Sequence, residues 1–106
     1  DQFGHHGSKG CIRRAKSYVS QILSEYHKFY YSGIIAEREG RAMLNRGPAR
    51  SFAYECFREA MELFEKAEGV RPTNDDDPIL RWNSCARTIM NEKLKPQEKE
   101  EVGFLE

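Results

Sequence analysis

The chain has 106 residues, of which 39% are hydrophobic and 32% are charged, and this size and composition indicate one small domain rather than a large multidomain enzyme. The 17 Lys and Arg residues balance the 17 Asp and Glu residues, so no net field draws the molecule to nucleic acid or to an anionic membrane. The balance hides a polarity, because residues 1–50 hold nine basic and four acidic residues (+5), whereas residues 51–106 hold eight and thirteen (−5).

The sequence predicts a soluble chain in a reducing compartment. No apolar run approaches the roughly 20 residues that cross a bilayer, and no basic start followed by an apolar segment marks a signal peptide. The three cysteines, Cys11, Cys56 and Cys85, are widely spaced, which suits neither a disulfide framework nor a CxxC metal site. We therefore expect a cytoplasmic protein that makes no membrane contact.

The N-terminal half predicts a flexible arm followed by helix. Residues 1–8 are rich in glycine and hold little to bury, so we expect an arm without a fold of its own. Residues 33–46 predict either a second helix or a continuation of the first, and Gly33, which costs a helix about 1 kcal/mol relative to Ala, then marks a break or a close contact. The first helix is predicted from apolar residues that recur at the helical period, namely Ile12, Ala15, Val19, Ile22, Leu23, Tyr26, Phe29 and Tyr30.

Two further helices are predicted in the C-terminal half. Arg46-Gly47-Pro48 indicates a turn, and an apolar stripe over residues 52–68 predicts an amphipathic helix with glutamates on its other faces. Asp77-Pro78 is a helix-start signal for a last helix over about residues 78–94. We expect the aspartates of residues 75–77 to cap this helix, because they lack the ligand spacing of a calcium loop.

The predicted fold is all-α, with antiparallel helical hairpins built from about four helices, because no segment shows the alternation of a β-strand. We place this domain at residues 9–95 and an acidic tail or linker at residues 96–106. The core is predicted to contain Ala60, Phe64, Ala67, Trp82 and Ile89.

The helix over residues 52–68 carries a motif of helical repeats. Ala60, Phe64 and Ala67, followed by Pro72, stand at spacings of four, three and five. This resembles the second helix of a tetratricopeptide repeat, in which small residues let the paired helix approach and proline closes the unit. The same Ala-x-x-x-Phe-x-x-Ala pattern is also similar to microtubule-interacting and trafficking type three-helix bundles, and this alternative stays open.

The candidate chemical sites favour no catalysis, and we expect no enzyme activity, no cofactor and no bound metal. His5, His6 and Cys11 are potential metal ligands, but adjacent residues in a glycine-rich arm do not hold a tetrahedral site. Cys56 and Cys85 lie on apolar stripes, where free cysteine packs as a small hydrophobe. No glycine-rich phosphate loop or nucleophile elbow occurs, so no catalytic residue is assigned.

Basic residues near the N-terminus are interleaved with aromatic residues, a combination that can bind single-stranded nucleic acid. The aromatic residues Tyr26, Phe29 and Tyr30 continue the apolar stripe of the first helix, so burial explains them better. The sequence therefore disfavours nucleic acid as a partner.

The remaining prediction is recognition of a protein or peptide. The tetratricopeptide resemblance places Asn83 and Arg87 in a groove, with Arg81 nearby as a third candidate binding residue, and amide and guanidinium groups there can hold a partner's backbone or carboxylate. We expect a non-catalytic interaction module of the adaptor or scaffold type. The alternative is a structural or assembly role, in which the basic and acidic halves drive self-association into a homo-oligomer or docking onto the rest of a parent chain.

Overall fold

A computed structural model describes residues 2–72 and 74–97, with side chains from residue 11 onwards. These residues form three α-helices and one 3-10 helix and contain no strand: α1 (Gln2–Leu44), the 3-10 helix Gly47–Phe52, α2 (Ala53–Gly69) and α3 (Asp77–Asn91). The prediction of an all-α fold is confirmed for the described part of the chain. The prediction of about four helices is wrong, because the segments at 12–31 and 33–46 form one helix.

The helix α1 passes through Gly33 and Gly40 without a break. A Cβ atom added at Gly40 would lie 3.0 Å from Cε2 of Phe57, and Gly33 faces the ring of Phe64 in the same way. The missing side chains therefore let α2 approach α1 closely. Of the two interpretations that the sequence leaves open, a continuous helix with a close contact is the one observed.

The helix α2 supplies most of the core. Its buried residues lie on one side of the helix: Ala53, Phe57, Ala60, Met61, Phe64 and Ala67. Burying a phenylalanine side chain fully is worth about 1.5–3 kcal/mol, so Phe57 and Phe64 are major contributors. The core prediction is confirmed for Ala60, Phe64 and Ala67. Trp82 and Ile89 are only partly buried and pack against the edge of the core.

A short turn reverses the chain between α1 and α2. Gly47 has a φ angle of 56°, a left-handed conformation that glycine adopts without a steric cost. The 3-10 helix Gly47–Phe52 then leads into α2. The turn predicted at Arg46-Gly47-Pro48 is confirmed.

The helices α2 and α3 are antiparallel. Trp82 near the start of α3 donates a hydrogen bond from Nε1 to Glu65 near the end of α2, at 3.0 Å. Gln97, which follows α3, donates its backbone N–H to Glu55 near the start of α2, at 3.1 Å. The prediction of antiparallel hairpins therefore holds for both helix pairs, since α1 meets α2 with Gly40 beside Phe57 and Gly33 beside Phe64.

The helix α1 is much longer than the helices that pack against it. It has 43 residues, whereas α2 has 17 and α3 has 15. At 1.5 Å per residue, α1 is about 65 Å long and α2 about 25 Å, and the molecule measures 72 × 33 × 17 Å. Because Tyr26 is the first buried residue among the described side chains, α2 and α3 cover only the C-terminal part of α1.

The predicted domain boundaries stay predictions. The helix α1 begins at Gln2, so the helical range includes the backbone of residues 2–8, for which the sequence predicts a flexible arm. The predicted tail at 96–106 falls mostly on residues 98–106, which lie outside the described residues.

Candidate interaction surfaces

Residues 11–24 of α1, here called the overhang, extend past the end of α2, and one side of the segment, at Tyr18, Gln21 and Ile22, borders Gly69, Val70 and Arg71. All residues of the overhang except Ile22 are exposed, and Ile12 and Val19 are 55% and 53% exposed. Single exposed apolar residues are ordinary, but those of the overhang share one side of the helix. We call this set the overhang stripe: Ile12, Ala15, Val19, Ile22 and Leu23.

The overhang stripe continues the face of α1 that packs on α2. Ile12, Val19, Tyr26, Gly33 and Gly40 follow one another at intervals of seven residues, and such residues lie on nearly the same side of an α-helix. The last three are buried, whereas the first two are exposed. One continuous face of α1 is therefore covered at its C-terminal end and open at its N-terminal end.

The overhang is basic. Arg13, Arg14 and Lys16 flank the stripe, and the first acidic residue that follows them is Glu25. None of the three forms an ion pair with another residue in the described ranges. The stripe is thus an apolar surface with a positively charged border.

A groove lies between α1 and α2 on the flank opposite α3. Its walls are Ile35, Ala36, Cys56 and Leu63, and Glu39 and Glu59 stand at its rim; we call it the α1–α2 groove. Burial raises the pKa of the Cys56 thiol, and the nearby carboxylates of Glu39, Glu59 and Glu55 raise this pKa further. The α1–α2 groove therefore combines apolar walls with a negative potential.

The three residues predicted to bind a partner lie on α3 in different surroundings. Arg81 points to α1, where its Nε donates to the hydroxyl of Tyr30 at 3.3 Å and its Nη1 donates to Glu37 Oε1 at 3.4 Å. Asn83 and Arg87 are exposed. Arg81 therefore joins α3 to α1 within the fold, and the binding role of all three residues stays a prediction.

A buried carboxylate organises the contact between α1 and α3. Glu37 is 5% exposed and accepts two hydrogen bonds from Arg41, at 2.7 and 3.1 Å from its Nη2 and Nε. The guanidinium of Arg41 also donates to the hydroxyls of Ser84 and Thr88, both at 3.1 Å. Together with Arg81, these groups satisfy the buried charge of Glu37, so the cluster holds the helices together and carries no free reactive group.

The loop before α3 is attached to α1 by a hydrogen bond. The hydroxyl of Tyr26 donates to Asp75 Oδ2 at 2.6 Å, and the backbone N–H of Asp77 donates to Asp75 Oδ1 at 3.1 Å. These bonds lower the pKa of Asp75, with the Tyr26 bond as the largest cause. The predicted helix start is confirmed within a residue by α3 at Asp77. Of the aspartates expected to cap this helix, Asp75 accepts a backbone N–H bond, whereas the side chain of Asp76 at the N-cap accepts none.

The cysteines occupy three different environments. Cys11 is exposed, Cys56 is half-buried and Cys85 is buried, and burial raises the pKa of Cys85 to about 12. The described residues contain no group of three or more His, Cys, Asp or Glu residues placed to hold a metal ion. The side chains of His5 and His6 lie outside the described residues, so the expectation that they and Cys11 hold no metal stays a prediction.

Sequence reasoning missed the division of the α1 stripe into an open and a covered part. The helical period over residues 12–30 predicts an amphipathic helix, but periodicity does not say what covers the apolar face. The lengths of the predicted helices could have revealed this division, because a helix over residues 52–68 or 78–94 is too short to cover a face that runs from Ile12 to Met43.

Comparison with known proteins found no matching family model, no matching curated protein and no matching solved structure. Among the described residues, no helix combines the length and apolar character needed to cross a membrane. Any function proposed for the chain therefore depends on the physical properties of the surfaces described above.

Proposed function

We propose that this chain is a non-catalytic protein-binding module and that the overhang stripe is its main binding surface. The observation that supports this proposal is the open end of a face that α2 covers elsewhere: Tyr26 and Gly33 are buried, whereas Ile12 and Val19 are exposed. A contiguous apolar face with a polar border is the surface that helix-in-groove recognition uses.

The binding mode follows from the spacing of the stripe. Apolar residues at positions 12, 15, 19 and 22 alternate steps of three and four, as in helices that pack lengthwise against a partner helix. Ala15 leaves room for a close approach, and Ile12 and Val19 serve as anchors. Because Arg13, Arg14 and Lys16 border the stripe, a partner with acidic residues beside its apolar face is favoured.

The finer features predicted from the sequence remain part of the proposal. A tetratricopeptide-like use of Asn83 and Arg87, with an adaptor or scaffold role in the cytoplasm, would add a polar contact on α3 to the apolar contact on the overhang. The proposal requires no reaction, cofactor or metal ion.

The proposal is tested by site-specific photo-crosslinking in an extract of the source cells. A photoreactive residue replaces Val19 in the full chain, and in a matched variant it replaces Ser17, which is also exposed but lies about 160° around the same helix. Because only Val19 belongs to the stripe, we expect discrete protein adducts from position 19 and at least fivefold fewer from position 17.

Mass spectrometry then identifies the crosslinked protein, which can be a second copy of this chain or another protein. An adduct that depends on position 19 and disappears when unlabelled chain is added in excess supports the proposal. Equal labelling at both positions, or no adduct at position 19, contradicts it.

A further inference from the structure

We propose that the overhang of one copy docks into the α1–α2 groove of a second copy, so that the chain assembles head to tail. This inference rests on the proposed function, because it names the partner of the overhang stripe. The two surfaces lie on different parts of the same chain, the overhang at one end of α1 and the groove beside its C-terminal part.

The two surfaces are complementary in polarity and in charge. The overhang presents aliphatic side chains such as Val19, and all of its charged residues are basic. The groove offers Ile35, which is 63% exposed, together with Ala36 and Leu63, and carries Glu39 and Glu59 at its rim. Docking would bury apolar surface on both sides and place the basic border of the overhang against the acidic rim.

The groove is long enough to hold about two of the three turns of the stripe. The groove runs along α1 from Ser32 to Glu39, which is about two helical turns, and the stripe from Ile12 to Leu23 covers about three turns. A helix in this position would pack against both α1 and α2 on the flank that α3 leaves open. The docked overhang would thus act as the fourth helix of a bundle.

Symmetric pairing of two overhangs fits the structure less well. In a parallel pair, the partner's α1 would run on past Tyr26 along the face that α2 already occupies. In an antiparallel pair centred on the stripe, Arg13, Arg14 and Lys16 would lie opposite residues 19–22 of the other copy, which include no acidic residue. Docking into the acidic groove avoids the conflict with α2 and supplies the acidic residues that the antiparallel pair lacks.

A head-to-tail contact has two measurable consequences. It joins different surfaces of the two copies, so each copy in a pair keeps a free overhang or a free groove, and assembly can continue beyond the dimer. It also depends on opposite charges at an exposed rim, so salt weakens it. Sedimentation equilibrium of the purified full chain should therefore show a mass that rises with protein concentration and falls with salt.

Charge reversal tests which surfaces meet. We expect R13E/R14E/K16E, and separately E39K/E59K, to weaken self-association at least about tenfold at low salt. All five positions are exposed, and circular dichroism with thermal melting verifies that each variant is folded. The matched control, Arg87→Glu on α3, also reverses an exposed charge, and it should leave the association constant within about twofold of the parent.

Combining the two sets of substitutions gives the decisive variant. In R13E/R14E/K16E/E39K/E59K the overhang is acidic and the groove rim is basic, so the two surfaces are again opposite in charge. Self-association should recover to within about threefold of the parent. If the combined variant self-associates no more strongly than the weaker of R13E/R14E/K16E and E39K/E59K, the two surfaces do not meet and the inference is overturned.

The thiol of Cys56 provides a second readout, because it lines the groove. Cys11→Ser removes the exposed thiol and Cys85 is buried, so the alkylation rate of this variant reports the accessibility of Cys56. Its rate should fall at least threefold between dilute and concentrated protein, and this protection should vanish in E39K/E59K. A rate that does not depend on concentration, in a sample that self-associates, would overturn the assignment of the groove.

The outcomes separate this inference from the proposed function. A purified chain that stays monomeric at every concentration and salt overturns the second copy as partner. If position 19 still crosslinks to another protein in the extract, the protein-binding proposal stands. If position 19 yields no specific adduct as well, both proposals fail.

Discussion

The ring of Phe64 occupies the space that a side chain at Gly33 would fill. A Cβ atom built on Gly33 would lie 2.7 Å from Cε1 and 2.9 Å from Cδ1 of Phe64, distances that Cβ atoms in folded proteins essentially never show. Phe64 is fully buried, so its ring has no free space into which to move. This contact explains a glycine in the middle of a 43-residue helix.

Gly33→Ala should therefore destabilise the fold, although alanine is the better helix former. Overpacking costs about 1–3 kcal/mol, and the gain in helix propensity is about 1 kcal/mol, so we expect a net loss of up to about 2 kcal/mol. Gly69→Ala is the matched control, because nothing lies within 4 Å of its added Cβ. Urea unfolding of both variants measures the difference, and a Gly33→Ala variant as stable as Gly69→Ala would refute the close contact.

Replacing Phe64 itself should have a larger effect. Phe64→Ala removes a fully buried ring at the centre of the contact between α1 and α2, and such truncations cost about 3–5 kcal/mol. Phe52→Ala removes the same group from a position that is 49% exposed, and it should cost less than half as much. Thermal melting compares the two, and a nearly unchanged midpoint for Phe64→Ala would contradict the described core.

The bond between Tyr26 and Asp75 should make stability depend on pH at both ends of the scale. The pKa of Asp75 is lowered, so the contribution of its charge is present above the ordinary Asp pKa of 3.8 and is lost as the pH falls through the lower value of the folded state. Burial, followed by the bond to Asp75, raises the pKa of Tyr26. That contribution is present below the ordinary Tyr pKa of 10.0 and is lost at higher pH.

Tyr26→Phe removes the ionisation of Tyr26 and the largest cause of the lowered pKa of Asp75, while the backbone N–H of Asp77 still donates to Asp75. We expect this variant to be about 1 kcal/mol less stable than the parent at neutral pH, with a difference that shrinks in strong acid and in strong base. Tyr31→Phe is the control, since Tyr31 is exposed and its substitution should leave the pH profile unchanged. Denaturant midpoints measured across the pH range give the comparison, and a difference that does not change with pH would show that the bond does not form.

The cluster around Glu37 predicts a loss of stability when Glu37 is replaced by glutamine, which has almost the same size but no charge. Glu37→Gln removes the charge that Arg41 and Arg81 share, and because both arginines are partly exposed, we expect a cost of about 1–3 kcal/mol. Glu62→Gln on the exposed side of α2 should change stability by less than about 0.5 kcal/mol. Equal effects in urea unfolding would show that the cluster does not hold α3 to α1.

Much of the secondary structure is predictable from the sequence because its signals are local. The turn at Gly47, the apolar stripe of α2 and the start of α3 at Asp77 each depend on residues that lie close together in the chain. The continuity of α1 was not decidable in this way. Whether Gly33 marks a break or a close contact depends on Phe64, which lies 31 residues further along the chain.

The candidate surfaces were harder to predict for the same physical reason. Arg81 has the guanidinium group that is typical of binding residues, but its side chain donates to the buried Glu37. Only the packing of α3 beside α1 reveals this partner. The exposure of Val19 and the groove at Ile35 likewise depend on where α2 ends and on which flank α3 packs. Helical periodicity identifies an apolar face but does not identify what covers it.

The central claim is that the overhang stripe serves binding rather than the fold of the chain that carries it. Val19→Asp tests this claim most directly, with urea unfolding in dilute solution and sedimentation equilibrium in concentrated solution. We predict a free energy of unfolding within about 0.5 kcal/mol of the parent, because an exposed side chain contributes little to stability, together with loss of self-association. A destabilisation of about 2 kcal/mol or more in the dilute monomer, or undiminished self-association in the variant of a parent that self-associates, would contradict the claim.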